Sequence, residues 1–80
     1  MIKVLFFAQV RELTGSDELS CEVYPTVEAL RTALAERGYK WALALESGKL
    51  LAAVNQTLVE FSHPLSSGDE VAFFPPVTGG

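Results

Sequence analysis

Apolar positions alternate near both ends of the chain and recur at helical spacing in between. The segment Ile2-Lys3-Val4-Leu5-Phe6-Phe7-Ala8 is rich in β-branched and aromatic residues. Its even positions, Ile2, Val4 and Phe6, form one phase, and Lys3, Leu5 and Phe7 the other. This predicts a strand with the even phase in the core. The odd phase begins with a lysine and faces outward or toward a partner. Residues 9–14 fit a short helical turn stopped by Gly15, and Ser16-Asp17 a turn. Leu19, Cys21 and Val23 alternate with Ser20, Glu22 and Tyr24 up to Pro25, which predicts a second strand. The two strands are close in sequence, so a hairpin is the simplest pairing.

The clearest helix is predicted over Thr26–Gly38. Thr26 is placed to cap its first amides, and Val27, Leu30, Ala33 and Leu34 share one apolar face. Glu28 lies near the positive end and Arg37 near the negative end, with Gly38 expected in the left-handed position that closes a helix. Residues 41–46 carry a weaker helical pattern ending at Ser47-Gly48. Leu50 to Val54 is a short apolar run, Asn55-Gln56 a turn, and Thr57 to Phe61 is again extended in character. Ser66-Ser67-Gly68-Asp69 is a further turn before the last strand, Glu70 to Phe74, with Val71 and Phe73 on one face and Ala72 and Phe74 on the other. One helix packed across a small mixed sheet satisfies this order, which is an α+β fold.

Composition narrows the picture. Eighty residues hold one core, and 49% apolar with 20% charged is the balance of a folded chain. Six basic residues against ten acidic ones give a net charge of −4. A phosphate backbone would be repelled, so no nucleic-acid partner is expected, and a basic protein surface fits better. Cys21 stands alone, so no internal disulfide can form, and no metal-ligand spacing occurs. The apolar N-terminus lacks the features of a signal peptide, and no apolar run approaches the ~20 residues of a membrane span. The expected location is the cytoplasm.

Ordinary catalytic groups are sparse. His63, the sole histidine, sits in a Ser62-His63-Pro64 loop context, and no nucleophile motif supports pairing it with Asp69 and a serine. Cys21 falls on the apolar phase of a predicted strand, where a buried, inert thiol is the common outcome. Asp17-Glu18 and Asp69-Glu70 read as solvated charge at turns. The body of the chain is a scaffold.

The tail is different. Phe74 is followed by Pro75-Pro76-Val77-Thr78-Gly79-Gly80. A Gly-Gly pair arises here by chance in roughly 0.5% of chains, so chance explains it poorly. The prolines stiffen an extended backbone and lower the entropy lost on docking, which a merely loose end would not need. Fully extended, the tail spans ~20 Å. Gly79 and Gly80 let it pass a narrow channel with no Cβ beside the final carboxylate. The expected division is thus a domain over residues 1–74 and a tail over residues 75–80. A carboxylate is a poor electrophile and is commonly activated as a mixed anhydride with phosphate. The chain has no nucleotide-binding motif, so another, ATP-using enzyme must activate it.

Several segments together resemble a known family. They are residues 2–8 with Arg11-Glu12-Leu13, the helix opening Thr26-Val27-Glu28-Ala29-Leu30, Ala53-Val54-Asn55, residues 65–73, and Pro75-Pro76-Val77-Thr78-Gly79-Gly80. The resemblance is to ubiquitin-like β-grasp proteins and, more closely, to the small sulfur-carrier subunits of molybdopterin synthase. It runs essentially end to end. Gly68-Asp69-Glu70-Val71 is shared by many β-grasp proteins, whereas the Phe74–Gly80 terminus is specific. The resemblance implies a mixed β-sheet with one main helix across it. It also implies a cycle. An E1-like adenylyltransferase uses ATP and Mg²⁺ to adenylate the Gly80 carboxylate, and a sulfur donor protein converts it to a thiocarboxylate. The tail then enters the large synthase subunit, where sulfur passes to cyclic pyranopterin monophosphate to build the molybdopterin dithiolene. The chain would bind no cofactor or metal itself, and would be the non-catalytic sulfur-donating subunit of a heterotetramer.

Phe7, Leu58 and Phe74 lie on outward phases, and first and last strands are neighbours in a β-grasp sheet. These residues are expected to form an apolar docking patch at the root of the tail, with Pro75, Pro76, Val77 and Thr78 as further partner contacts. A sulfur carrier for thiamine synthesis, a protein modifier joined to lysines, and an interaction module with an unmodified tail are the alternatives.

Overall fold

Ile2, Val4 and Phe6 are buried along one face of strand β1 (Ile2–Phe6), with Lys3 exposed and Leu5 half-buried on the other. The computed structural model describes residues 1–46 and 48–76. After β1 come α1 (Ala8–Thr14), β2 (Glu18–Cys21), α2 (Val27–Ala35), α3 (Tyr39–Ala44), β3 (Leu51–Val54), β4 (Thr57–Val59) and β5 (Glu70–Phe74). Among the described residues the strands form one sheet in the order β2-β1-β5-β3-β4. The β1–β2 hairpin is antiparallel, as are β3–β4 and β3–β5, while β1 and β5 run parallel. The sheet is mixed, and the helices cover one face of it, so the α+β, ubiquitin-like β-grasp expectation holds.

Helix α2 forms where its apolar spacing and its cap agree. The Thr26 Oγ1 accepts from the Ala29 N–H at 3.1 Å. The two preceding amides find partners in the chain that follows β4: Val27 N–H donates to the His63 carbonyl at 3.1 Å and Glu28 N–H to the Phe61 carbonyl at 2.8 Å. Three donors that a helix start leaves open are thereby satisfied. This also explains why β4 stops at Val59 and does not run to Phe61: the chain leaves the sheet to close the helix end. Val27, Leu30 and Leu34 are buried against the sheet. Phe6 meets Trp41 edge-on at 5.5 Å between ring centroids and lies stacked 6.4 Å from Phe73, which in turn is 6.4 Å from Phe61. Burying side chains of this size contributes about 1.5–3 kcal/mol each.

Some boundaries differ from the sequence reading. Gly38 does not close α2 in a left-handed turn. The helix ends at Glu36 in right-handed geometry, with the Arg37 N–H donating to the Leu34 carbonyl at 3.1 Å. Gly38 is extended, at φ 162°, and its carbonyl accepts the Ala42 N–H at 2.9 Å. It therefore opens α3, which begins at Tyr39 and not at 41. Strand β2 ends at Cys21, leaving Val23 exposed, and β3 starts one residue after Leu50. Gly15 does stop α1, at φ 73°. Asn55 and Gln56 have φ values of 50° and 70°, the pattern of a two-residue hairpin turn whose twist matches its strands.

Candidate functional site

The sheet face away from the helices carries the outward phases of all its strands. Register joins them into rows. Leu5 pairs with Ala72, Ala72 with Ala53, and Ala53 with Leu58, one continuous line across β1, β5, β3 and β4. The next row toward the tail pairs Phe74 with Leu51. Phe6 is in register with Phe73, so the same register carried one step further sets Phe7 beside Phe74. The Phe7 N–H donates to the Phe73 carbonyl at 3.2 Å. Away from the tail the face turns polar: Lys3 is level with Glu70 and lies 3.6 Å from the Glu18 carboxylate.

Phe7 is 47% exposed, Leu58 is 64% exposed, and Phe74 is half-buried. The three share one face. Phe7 and Phe74 flank the root, while Leu58 lies on the edge strand beyond β3. Leu5, Leu51, Ala53 and Ala72, all half-buried, bridge the gap. The sequence reading put Leu5 and Ala72 on the phases of Phe7 and Phe74 without assigning them to the patch, and it left Leu51 and Ala53 without a face because β3 is an unbroken apolar run without polar alternation.

β5 is the central strand, paired on both sides, and Phe74 is its last residue. Pro75 and Pro76 follow outside any strand. Pro75 lines a cleft of about 240 Å³ together with Gln9, Val10 and Leu13 of α1, Leu43 and Ala44 of α3, and Glu46 and Lys49. Val77, Thr78, Gly79 and Gly80 lie outside the described residues.

At the opposite end of β5, Asp69 anchors the strand's start. Its carboxylate accepts from the Ser66 N–H at 2.8 Å and from the Asn55 side-chain amide at 3.0 Å, and these bonds hold its pKa below the ordinary value. The Asn55 Oδ1 accepts the Glu70 N–H at 3.0 Å. Asp69 thus serves a turn, and among the described residues no Ser-His-Asp assembly is built around it. His63 contributes its carbonyl to the start of α2. Cys21 is half-buried, and burial, followed by the neighbouring Glu22, pushes its thiol pKa up, the opposite of an activated cysteine. No group of three or more His, Cys, Asp or Glu side chains suited to a metal occurs among the described residues. None of the described helices is long and apolar enough to cross a membrane. What the arrangement offers is an apolar face leading to a tail that leaves from the middle of the sheet.

Comparison with known proteins matches that arrangement. The ThiS family model matches residues 4–80. The chain is 72% identical over 82 residues to the molybdopterin synthase sulfur carrier subunit of Escherichia coli (strain K12), covering all of both. It is 59% identical over 81 residues to the protein of that name from Haemophilus influenzae, again covering all of both. Among solved structures it is similar to a chain of the protein–protein complex of subunits 1 and 2 of molybdopterin-converting factor from Helicobacter pylori 26695. That match has a TM-score of 0.69 at 26% identity, and covers 99% of this chain and 97% of the other.

Proposed function

The chain belongs to the ThiS family, and we infer that it works as the sulfur carrier subunit of a molybdopterin synthase. The observation that carries this reading is the position of the tail. It leaves the central strand β5, beside the outward Phe7 and Phe74. A partner that grips this face does so beside the point where the chain leaves β5.

The cycle follows from the chemistry of a carboxylate. The Gly80 carboxylate attacks the α-phosphorus of Mg²⁺-bound ATP in an E1-like adenylyltransferase, and pyrophosphate leaves. Hydrosulfide released by a donor protein adds to the acyl carbon, AMP departs, and a thiocarboxylate remains. The carrier then docks on the large synthase subunit through Phe7, Leu58 and Phe74. Pro75, Pro76, Val77 and Thr78 line the approach, and Gly79 leaves space beside the reacting group. The thiocarboxylate sulfur forms the new carbon–sulfur bond to cyclic pyranopterin monophosphate as a carbon–oxygen bond at the same carbon breaks, and that oxygen leaves protonated. Water then cleaves the acyl–sulfur bond and restores the Gly80 carboxylate. Two deliveries complete the dithiolene. The large subunit supplies the catalytic side chains, in a heterotetramer of two small subunits on a large-subunit dimer, within the cytoplasm. The chain holds neither ATP nor metal by itself.

Incubation with ATP, the E1-like enzyme and a sulfur donor tests the reading. Intact mass should show one oxygen replaced by sulfur at the C-terminus, and the product should convert cyclic pyranopterin monophosphate in the presence of the large subunit. An unchanged mass would overturn the carrier reading. Transfer to a thiazole precursor in place of the pterin would assign the chain to thiamine synthesis, and an isopeptide bond to lysine would make it a modifier.

A further inference from the structure

Ala8 has a left-handed backbone, at φ 52°, although it carries a Cβ. L-residues other than glycine, asparagine and aspartate rarely accept this region, because Cβ crowds the following carbonyl. The side chain of Ala8 is exposed, so nothing in the core demands the conformation. Its effect falls on the residue before it. Phe7 remains extended, at φ −125° and ψ 154°, and keeps the outward phase of β1. The Phe7 N–H still bonds the Phe73 carbonyl at 3.2 Å, while its own carbonyl already accepts from the α1 amides of Val10 at 3.1 Å and Arg11 at 3.4 Å. One residue therefore converts strand into helix with no linker.

Two consequences meet at the tail root. Phe7 is fixed from both sides, by β5 before it and by α1 after it. β1 also leaves the sheet at the level of Phe74, before its backbone can run on beside Pro75. An extended residue 8 would prolong β1 along the start of the tail and place Phe7 in the middle of a strand.

We propose that Ala8 is a positioning residue for docking: its left-handed turn aims Phe7 at the partner and keeps β1 clear of the tail. The proposal rests on the reading of Phe7 as a docking residue for the large synthase subunit. It acts through backbone geometry, so residues that tolerate a left-handed backbone should replace Ala8 and β-branched ones should not.

The test titrates the large subunit of molybdopterin synthase with full-length Phe7→Ala, Ala8→Gly, Ala8→Asn, Ala8→Val and the Phe7→Ala/Ala8→Val double variant, with thermal unfolding in parallel. Ala8→Gly and Ala8→Asn should bind within about two-fold of the parent, since both accept the left-handed region. Ala8→Val should bind about ten-fold more weakly or worse while staying folded. If Ala8 works through Phe7, valine should cost less than about two-fold once Phe7 is alanine. Parent-like affinity of Ala8→Val, or a valine effect of equal size in both backgrounds, overturns the proposal. Should Ala8→Val fail to fold, Ala8→Leu, unbranched at Cβ, takes its place in the same cycle with the same criteria. Parent-like affinity of Phe7→Ala would instead bring down the docking reading itself. Weak Phe7→Ala beside an unaffected Ala8→Val removes the positioning role alone.

Discussion

Arg31 Nη1 donates to the Leu45 carbonyl at 2.8 Å, just past the end of α3. The same guanidinium grips both carboxylate oxygens of Glu28, at 2.7 Å and 2.8 Å. One side chain thus ties the two helices together and satisfies a carbonyl that α3 leaves open. The Arg31 side chain is 13% exposed and that of Glu28 49% exposed, which ranks the two halves of the contact. Arg31→Ala should cost roughly 1–3 kcal/mol, because the Leu45 carbonyl loses its partner in a half-buried place. Glu28→Gln should cost no more than about 1 kcal/mol, as for other exposed pairs. Urea unfolding of both variants checks the order; equal losses would mean that the ion pair, and not the carbonyl, carries the contact.

Asp69 gives the fold an acid-sensitive joint. Its folded pKa lies below the ordinary value of 3.8, chiefly through the Ser66 N–H and then the Asn55 amide. A depressed carboxylate pKa adds stability above the unfolded value, and that stability is lost as pH falls through the folded one. The parent should therefore lose thermal stability as the pH drops below about 4, with Asp69 as one contributor. Asp69→Asn should be less stable at neutral pH and show a shallower loss over that acid window. Melting curves across the window decide it, and parallel curves for the two proteins would exclude Asp69 as a source.

Phe73 and Phe74 are adjacent in sequence and opposite in consequence. Phe73 is fully buried between Phe6 and Phe61, while Phe74 pairs with Leu51 on the outer face. Phe73→Ala should cost about 3–5 kcal/mol, a large share of the ~5–15 kcal/mol that holds a small domain. Phe74→Glu should leave the domain folded but weaken large-subunit binding by about 2 kcal/mol or more, roughly thirty-fold. Circular dichroism and calorimetric titration separate the two effects. Normal binding by Phe74→Glu would refute the outer face as the docking surface.

Removing Gly80 should abolish sulfur transfer while changing stability by no more than about 0.5 kcal/mol, as for other sites away from the core. Single-turnover conversion of the pterin precursor and thermal unfolding measure the two quantities. Transfer that survives the deletion would remove the Gly80 carboxylate from the chemistry.

Much of this architecture was legible where a local cause acts alone. The alternation of Ile2, Val4 and Phe6, the Thr26 cap and the Gly15 stop each follow from the residue and its immediate neighbours. Gly38 was misread because its role depends on α3 starting at once, a fact about the next element. β4 was read too long because the carbonyls of Phe61 and His63 are needed at a helix start far back in sequence. The left-handed Ala8 leaves no trace in the sequence, since alanine is among the residues least expected there. Phe7, Leu58 and Phe74 could be placed on outward phases, but Leu5, Leu51, Ala53 and Ala72, which bridge them, required the cross-strand register. The chemistry of Gly80 was read only as far as a deliverable carboxylate; the sulfur came from family resemblance.

The parallel pairing of β1 with β5 also has a mechanical meaning. The two strands lie side by side with the same polarity, so the chain's N-terminal end and the tail emerge at opposite ends of one ladder. Tension applied along the tail is opposed by the slanted rungs of that ladder in shear, many sharing the load together, and not by peeling one rung at a time. A pull on Pro75 and Pro76 is therefore met on both sides of β5, by β1 and by β3, and not by an edge strand that could peel away.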